Sequence, residues 1–306
     1  MKHPTTEPTG TQHILTRGDA RAVITEVAAS IRGFSVGGVD VVQPYAELSS
    51  PPFASGIILM PWPNRVADGQ WTLDGVTQQL DLTEPARNNA IHGLLRFAGY
   101  RVVEQSESTL TLAATVFPQH GYPFHLETTV RYELVDEGLS VSHDVRNLSS
   151  ERAPVGAGAH PFLTIGDVPT EELVLTVHAS TYFDVDERLL PHGELPVDGT
   201  KYDLRGGVKV GDLELDTAFG GVTTHDGAAA VLRAPDGREV RLVQDEAHPY
   251  VQVFTTREYP KKGGPGLAVA IEPMTAAPDA LNSDLGLHWV EPGEAWHIGW
   301  GIQYSR

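Results

Sequence analysis

The sequence of 306 residues contains no cysteine. Disulfide bonds, thiolate-bound zinc and a cysteine nucleophile are therefore excluded, and the composition suits a reducing compartment. The N-terminal stretch MKHPTTEPTGTQHILT lacks an apolar core of signal-peptide length, and no apolar run approaches the length of a membrane span. We therefore expect a soluble, cytoplasmic protein.

Basic side chains are also few. The 22 Lys and Arg residues stand against 40 Asp and Glu residues, which gives a net charge of -18. Nucleic acids and anionic membranes are bound through basic patches, so neither is expected as a partner. The acidic balance selects no substrate, because an excess of charge of one sign commonly serves solubility.

Long amphipathic helices are missing as well. No stretch keeps a 3.6-residue apolar period over three turns with a cap at each end. Strand alternation recurs instead, with hairpins predicted at Asp74-Gly75, within residues 128–148, and at Pro235-Asp236-Gly237. The pattern indicates an all-β chain of antiparallel sheets, in a sandwich or barrel. We predict a disordered segment over residues 1–12 and a single domain over residues 13–306.

Three titratable residues interrupt the apolar pattern. Glu272 follows the apolar run LAVAI and precedes Pro273, and a buried carboxylate is costly unless it is paired, hydrogen-bonded or used in function. His160 follows the small-residue run GAGA, where missing side chains let a ligand or a backbone approach closely. His92 lies in IHG after a polar loop, where a structural role is the commoner one for a lone histidine.

Four further residues offer fixed hydrogen-bonding groups. Asn64 and Arg65 follow the segment PWP, and such an arginine suits either an anionic or sugar ligand or a core acid. Asp216 precedes a small-residue loop, where it could instead form a turn, and Gln252 alternates with apolar neighbours in PYVQVFTT. The sequence has no P-loop, dinucleotide fingerprint or G-x-S-x-G motif. The remaining chemistry is proton transfer by a Glu and a His on a neutral polar ligand.

Taken in order, these segments resemble the aldose 1-epimerase (mutarotase) family from about residue 15 to the end. The similar segments are PNRVADGQWTLDG, NNAIHGLLR, GAHPFLTI, ELDTAF, PYVQVFTT and AIEPMTAAPDALN. The resemblance implies a large β-sandwich of the galactose mutarotase-like type. It also implies an isomerase that interconverts the α and β anomers of a free aldose and uses no cofactor or metal.

The resemblance further implies a role for each candidate residue. Glu272 would be the general base, His160 the general acid, and His92 would assist at the ring oxygen or orient the sugar. Sugar hydroxyls would be bound by Asn64, Arg65, Asp216 and Gln252. The expected partner is a small-molecule monosaccharide, and the protein is expected to be a monomer or a homodimer.

Three alternatives remain open. A metal site built from His92, His160 and Glu272 is disfavoured because none of the 13 histidines forms an H-x-H or H-x-x-x-H pair. A non-catalytic carbohydrate-binding or regulatory protein on the same fold is disfavoured by the presence of both the Glu and the His. A hexose-phosphate 1-epimerase could use the basic loop with Arg257, Lys261 and Lys262. A solvated loop is the commoner interpretation, so neutral aldoses are expected to be preferred.

Overall fold

The computed structural model describes residues 7–47 and 49–306, over which the chain forms 27 strands. The first thirteen are β1 (Gln12–Arg17), β2 (Ala20–Thr25), β3 (Ile31–Val36), β4 (Val39–Val42), β5 (Ile58–Leu59), β6 (Arg65–Ala67), β7 (Gln70–Leu73), β8 (Val76–Gln79), β9 (Asn89–Ile91), β10 (Arg101–Gln105), β11 (Thr109–Val116), β12 (Leu126–Val135) and β13 (Gly138–Asn147). The others are β14 (Ala153–Val155), β15 (Gly158–Ala159), β16 (Phe162–Leu163), β17 (Val174–Val177), β18 (Thr181–Val185), β19 (Pro191–Pro196), β20 (Val208–Lys209), β21 (Asp216–Gly220), β22 (Ala228–Arg233), β23 (Glu239–Gln244), β24 (Tyr250–Lys261), β25 (Gly264–Met274), β26 (His288–Val290) and β27 (Ala295–Ser305).

The helical segments are short. Single 3-10 turns occupy Pro52–Ala54, Pro85–Arg87, Thr170–Glu172 and Val210–Asp212, and α1 spans Ala280–Ser283. Within the described part of the chain, no helix has the length and apolar character needed to cross a membrane.

Two large antiparallel sheets form most of the structure. The 12-stranded sheet has the order β1-β2-β3-β4-β16-β25-β24-β21-β18-β19, with β15 beside β25 and β5 beside β15. The nine-stranded sheet has the order β10-β11-β12-β13-β27-β23-β22-β17-β20. Two-stranded pairs join β14 with β26, β6 with β9, and β7 with β8. This architecture confirms the predicted all-β sandwich.

The three predicted hairpins are present. β7 and β8 pair through Leu73 and Val76, which leaves Asp74-Gly75 as a two-residue turn. β12 pairs with β13 along their whole lengths, and β22 pairs with β23 across the Pro-Asp-Gly turn. Local alternation and turn residues were therefore sufficient to identify these units.

The core lies between the two large sheets. Ile24 and Val269 from the 12-stranded sheet belong to the same cluster of buried apolar side chains as Val130 and Ile302 from the nine-stranded sheet. Removal of this apolar surface from water is the main favourable term in folding. The cluster therefore holds the two sheets together.

Strands β24 and β25 carry different residues on their two faces. Val251, Val253 and Ile271 belong to the core between the sheets. Because side chains alternate along a strand, Gln252 and Glu272, which pair in register, lie on the opposite face. They are only 3% and 1% exposed, because other segments cover that outer face.

The predicted disordered segment, residues 1–12, lies partly outside the described residues, which begin at Glu7. Thr9 is buried, and the Thr11 N–H donates to a carboxylate oxygen of Glu26 over 3.0 Å. Gln12 is the first residue of β1. Contacts with the 12-stranded sheet therefore begin before residue 12.

Candidate active site

A cavity of about 740 Å³ opens on the outer face of the 12-stranded sheet. All seven residues that the sequence analysis singled out line this cavity: Asn64, Arg65, His92, His160, Asp216, Gln252 and Glu272. They lie on β6, β21, β24 and β25 or directly beside β6, β9 and β15. Cavities of this size are typical of sites for small molecules.

His160 and Glu272 form a buried pair in the cavity wall. His160 Nε2 lies 3.3 Å from Glu272 Oε1, and the two residues are 5% and 1% exposed. Their proximity follows from strand pairing, because β15 and β16, which flank His160, both pair with β25. Among the described residues, His160 Nδ1 and Glu272 Oε2 are buried without a hydrogen-bond partner. Each group therefore has a second polar atom that makes no hydrogen bond within the described part of the chain.

Burial shifts the proton affinities of this pair in opposite directions. It raises the pKa of Glu272 well above its usual value, with the negative charge of Asp216 adding to the rise and Arg65 opposing it. Burial also lowers the pKa of His160 to about 4. Glu272 can thus hold a proton at a pH where an exposed glutamate has lost it. Such a carboxyl beside a neutral imidazole is suited to proton transfer.

The third titratable residue, His92, follows β9 and packs beside His160. The two imidazole rings meet edge to face, with centroids 5.5 Å apart and an interplanar angle of 83°. Burial lowers the pKa of His92 well below its usual value, and the charges of His160, Arg96 and Arg65 lower it further. His92 is therefore a neutral hydrogen-bonding group.

Two turns with left-handed backbone fix the position of His92. Asn64 has φ 56° and His92 has φ 63°, and the His92 N–H donates to the Asn64 carbonyl over 2.9 Å. Gly93 has φ 70°, and a Cβ on it would lie 2.1 Å from the Met60 carbonyl oxygen. Only glycine fits there without displacing the neighbouring backbone.

A chain of hydrogen bonds joins the other predicted residues. Asn64 Nδ2 donates to Gln252 Oε1 over 3.1 Å, and Gln252 Nε2 donates to Asp216 Oδ1 over 2.6 Å. Asp216 Oδ2 also accepts from Arg65 Nη2 over 3.4 Å. These polar groups are oriented by one another, which is the property a site needs to recognise hydroxyls of defined direction.

Arg65 is both ion-paired and part of the cavity wall. Its Nε and Nη2 donate to the two carboxylate oxygens of Glu84 over 2.9 and 3.1 Å. Burial disfavours the charge of Arg65, but Asp216 and Glu84 outweigh that effect and raise its pKa. The sequence left open whether Arg65 pairs with an acid of the protein or contacts a ligand. Its position allows both contacts.

Sequence reasoning missed several residues of the cavity wall. Glu84 precedes the 3-10 turn at Pro85–Arg87, and only the folded chain shows that it contacts Arg65. Phe254 could have been found, because it lies two residues after Gln252 on the same strand face. Phe53 and Phe97 are 42% and 72% exposed at the cavity, and no pattern in the sequence marks them.

The small residues before His160 leave room for neighbouring protein segments rather than for a ligand. A Cβ on Gly158 would lie 2.9 Å from the Pro273 carbonyl oxygen and 3.2 Å from Pro63 Cβ. The predicted close approach therefore exists. It allows β15 to pack between β25 and the segment that precedes Asn64.

The basic loop proposed for phosphate lies outside the cavity wall. Lys261 Nζ donates to Thr170 Oγ1 over 2.8 Å, and Arg257 Nη2 donates to the Gly211 carbonyl over 3.0 Å. Within residues 7–47 and 49–306, no group of three or more His, Asp or Glu side chains is arranged to hold a metal ion.

Comparison with known proteins adds family information. A protein-family model described as Aldose 1-epimerase matches residues 12–302. The chain is 31% identical over 294 residues to uncharacterized protein YihR of Escherichia coli (strain K12), covering 95% of this chain and 92% of that protein. It resembles the solved structure of an aldose epimerase homologue from C. elegans with a TM-score of 0.85 and 16% identity, covering 97% of this chain and 99% of that one. At that identity the structural likeness shows a shared fold.

Galactose mutarotase of Rattus norvegicus is a more partial match. It is 32% identical over 187 residues, which cover 56% of this chain and 52% of that protein. The chain thus spans about half the length of the mutarotase that it matches.

Proposed function

Because this chain belongs to the aldose 1-epimerase family, we propose that it interconverts the α and β anomers of a free aldose. The observation that carries the proposal is the contact between His160 and Glu272. An imidazole nitrogen and a carboxylate oxygen lie 3.3 Å apart in the wall of a cavity large enough for a monosaccharide. A buried acid–base pair facing a small-molecule cavity suits proton transfer to and from a sugar.

The buried pair holds one proton, and in the reactive state of the proposed reaction this proton lies on His160. The Glu272 carboxylate then removes the proton of the anomeric hydroxyl while protonated His160 donates from Nε2 to the ring oxygen. The bond between C1 and the ring oxygen breaks, and the electrons of the former hydroxyl form the aldehyde. Rotation about the C1–C2 bond presents the other face of the carbonyl, and both proton transfers reverse as the ring closes. Each transfer contributes about 10²–10⁴ to the rate. The reaction has no redox step and consumes no co-reactant.

The remaining polar residues are proposed to hold the sugar in this orientation. Hydrogen bonds already join Asn64, Gln252 and Asp216. Their side chains therefore lose conformational entropy during folding and little more when the sugar binds. Arg65 is held by Glu84 in the same way. Neutral His92 would complete the set beside the ring oxygen.

The substitution Glu272→Gln tests this proposal, because it keeps the shape of the side chain and removes the base. We expect the folded variant to bind sugar while its anomer exchange falls by about 10²–10⁴. Exchange is followed by one-dimensional NMR on a panel of aldoses, with thermal melts and binding measurements alongside.

Two results would contradict the proposal. Near-normal exchange in a folded Glu272→Gln protein would remove Glu272 from the mechanism. A wild-type protein that binds aldoses without accelerating exchange would favour the non-catalytic carbohydrate-binding alternative. If Glu272 is structural, the variant should instead lose about 1.5–3 kcal/mol of stability.

A further inference from the structure

Arg96 lines the same cavity as the acid–base pair, but its surroundings differ from those of the other two arginines in the wall. Arg65 and Arg87 share the carboxylate of Glu84. Arg96 forms no ion pair with any residue that the structure describes. Its Nη1 donates to the Ile91 carbonyl over 3.4 Å, and its Nε is buried without a partner. Among the described residues, this arginine of the cavity wall therefore has no carboxylate in contact with it.

Other described arginines, among them Arg32 and Arg241, also lack an ion pair and have a buried Nε without a partner, but they do not line the cavity. Burial lowers the pKa of Arg96, and Glu84 opposes that effect without overcoming it. The chain carries 40 acidic side chains, so an acid partner is not scarce. The guanidinium carbon lies 4.8 Å above the centroid of the Phe97 ring, which supports the group without neutralising it. A guanidinium held in this way suits an oxyanion, which it can bind through two parallel N–H donors.

Arg96 lies on the histidine side of the cavity. The one hydrogen bond that it makes to a described residue is to Ile91, the residue before His92. Its charge also contributes to the lowered pKa of His92 and of His160. The charge of Arg65 acts on the pKa of both histidines and of Glu272, whereas Arg96 is not among the charges that act on Glu272.

The chemistry of a pyranose links this position to one part of the sugar. In the proposed reaction His160 faces the ring oxygen and Glu272 faces the hydroxyl on C1. The ring oxygen is bonded to C1 and to C5, so the substituent on C5 lies beyond the ring oxygen as seen from C1. A group on the histidine side of the cavity therefore faces C6 rather than the anomeric hydroxyl.

We propose that the substrate is an aldose with an anionic group on C6, a carboxylate, sulfonate or phosphate, and that Arg96 binds this group. The inference rests on the proposed function, because it uses the orientation that the proton transfers require. It also replaces the expectation of a neutral aldose, which assumed that the loop with Arg257, Lys261 and Lys262 was the only basic candidate.

The test compares matched sugars that differ at C6 alone. Anomer exchange is measured by NMR for glucose, glucuronate, 6-deoxy-6-sulfoglucose and glucose 6-phosphate, and kcat/KM of each anionic sugar is divided by that of glucose. We expect the wild type to have a higher kcat/KM for at least one anionic sugar than for glucose. Comparison of the three anionic sugars identifies whether the preferred group is a carboxylate, a sulfonate or a phosphate. Arg96→Gln should lower the ratio for that sugar by about 10- to 100-fold, and Arg96→Lys should restore part of it.

Arg101→Gln provides the matched control. It removes the same charge from the same residue type, but Arg101 lies on β10, pairs with Glu127 and is exposed. The ratio should stay at its wild-type value in this variant, because the charge removed is remote from the cavity. Thermal melts of all variants confirm that the compared proteins are folded.

Three outcomes separate the possibilities. An anion-to-glucose ratio that is the same in the wild type and in Arg96→Gln overturns the inference. An equal loss for neutral and anionic sugars with a shifted pH profile also overturns it, because Arg96 would then act through the histidines. If the protein exchanges the anomers of none of the four sugars, the proposed function fails. The binding of each sugar, measured by calorimetry, then tests the role of Arg96 separately. Tighter binding of a C6 anion that Arg96→Gln abolishes would support it, and equal binding of all four sugars would overturn it.

Discussion

Two histidines in this protein are buried to a similar degree but in different surroundings. His143 on β13 is 2% exposed, and burial lowers its pKa to about 3. His160 is 5% exposed, and burial lowers its pKa to about 4. His143 Nε2 accepts a hydrogen bond from Trp300 Nε1 over 3.0 Å, whereas His160 Nε2 faces the carboxylate of Glu272 and a cavity.

The difference shows which features mark a functional histidine. Burial and a lowered pKa are common to both residues, so neither feature identifies a catalytic group. A carboxylate partner and open space on one side distinguish His160. The sequence already indicates this contrast. His143 takes an apolar position in the alternation of its strand and pairs with Val130 across the hairpin. His160 lies between a run of small residues and a proline.

The largest expected effect separates the two histidines directly. His160→Asn should lower anomer exchange by about 10²–10⁴, because the proton donor for the ring oxygen is lost. His143→Leu should leave exchange intact and reduce the free energy of unfolding by about 1–3 kcal/mol, because the Trp300 N–H loses its acceptor in the core. NMR exchange and urea unfolding on both variants check this. Comparable rate losses in the two variants would mean that the surroundings do not separate the roles.

A second prediction concerns the pH dependence of stability. The pKa of Glu272 is raised by folding, so its favourable contribution is present below the unfolded pKa, about 4.3, and is lost as the pH rises through the folded value. The melting temperature of Glu272→Gln relative to wild type should therefore increase from pH 4 towards pH 8.

His143 should show the opposite pH window. Its pKa is lowered by folding to about 3, so its contribution is present above the unfolded pKa of about 6.5 and is lost as the pH falls towards 3. The stability cost of His143→Leu should therefore shrink below about pH 6.5. Melting curves of wild type and both variants at several pH values test this pair. Parallel profiles for the two substitutions would contradict the assigned shifts.

The smallest expected effect is that of His92→Asn. His92 contacts His160 through its ring edge, and none of the described carboxylates pairs with it, so we expect support rather than proton transfer. Asparagine tolerates the left-handed backbone at this position, so the turn should be kept. Exchange should fall about tenfold, as for the loss of one hydrogen bond. A loss as large as that of His160→Asn, measured in the same NMR assay, would place His92 in the proton transfers themselves.

Part of this structure was accessible from sequence. The family and the all-β sandwich were predicted and are confirmed. Hairpins were accessible because turn residues and alternation are local signals. Strand order was not, because β4 lies beside β16, β16 beside β25 and β21 beside β24, and the two strands of each of these pairs are not consecutive in the chain.

The site was predictable in its seven named residues, which the fold brings to one cavity, while their roles remain proposals. Glu84 and Arg96 could not be assigned from sequence. Their character depends on which charges become paired after folding: Glu84 pairs with two arginines, and Arg96 pairs with no acid of the described residues. A sequence pattern shows charges but not their partners.

The alternation along β24 and β25 has a consequence for how such a protein can change. Positions 251, 253 and 271 pack into the core, while positions 252, 254 and 272 face the cavity. Substrate preference can therefore evolve, or be engineered, through the second set while the first keeps the sheets joined. Insertion or deletion of a single residue in either strand would exchange the two sets at once. These strands should accordingly tolerate substitutions far better than changes in length.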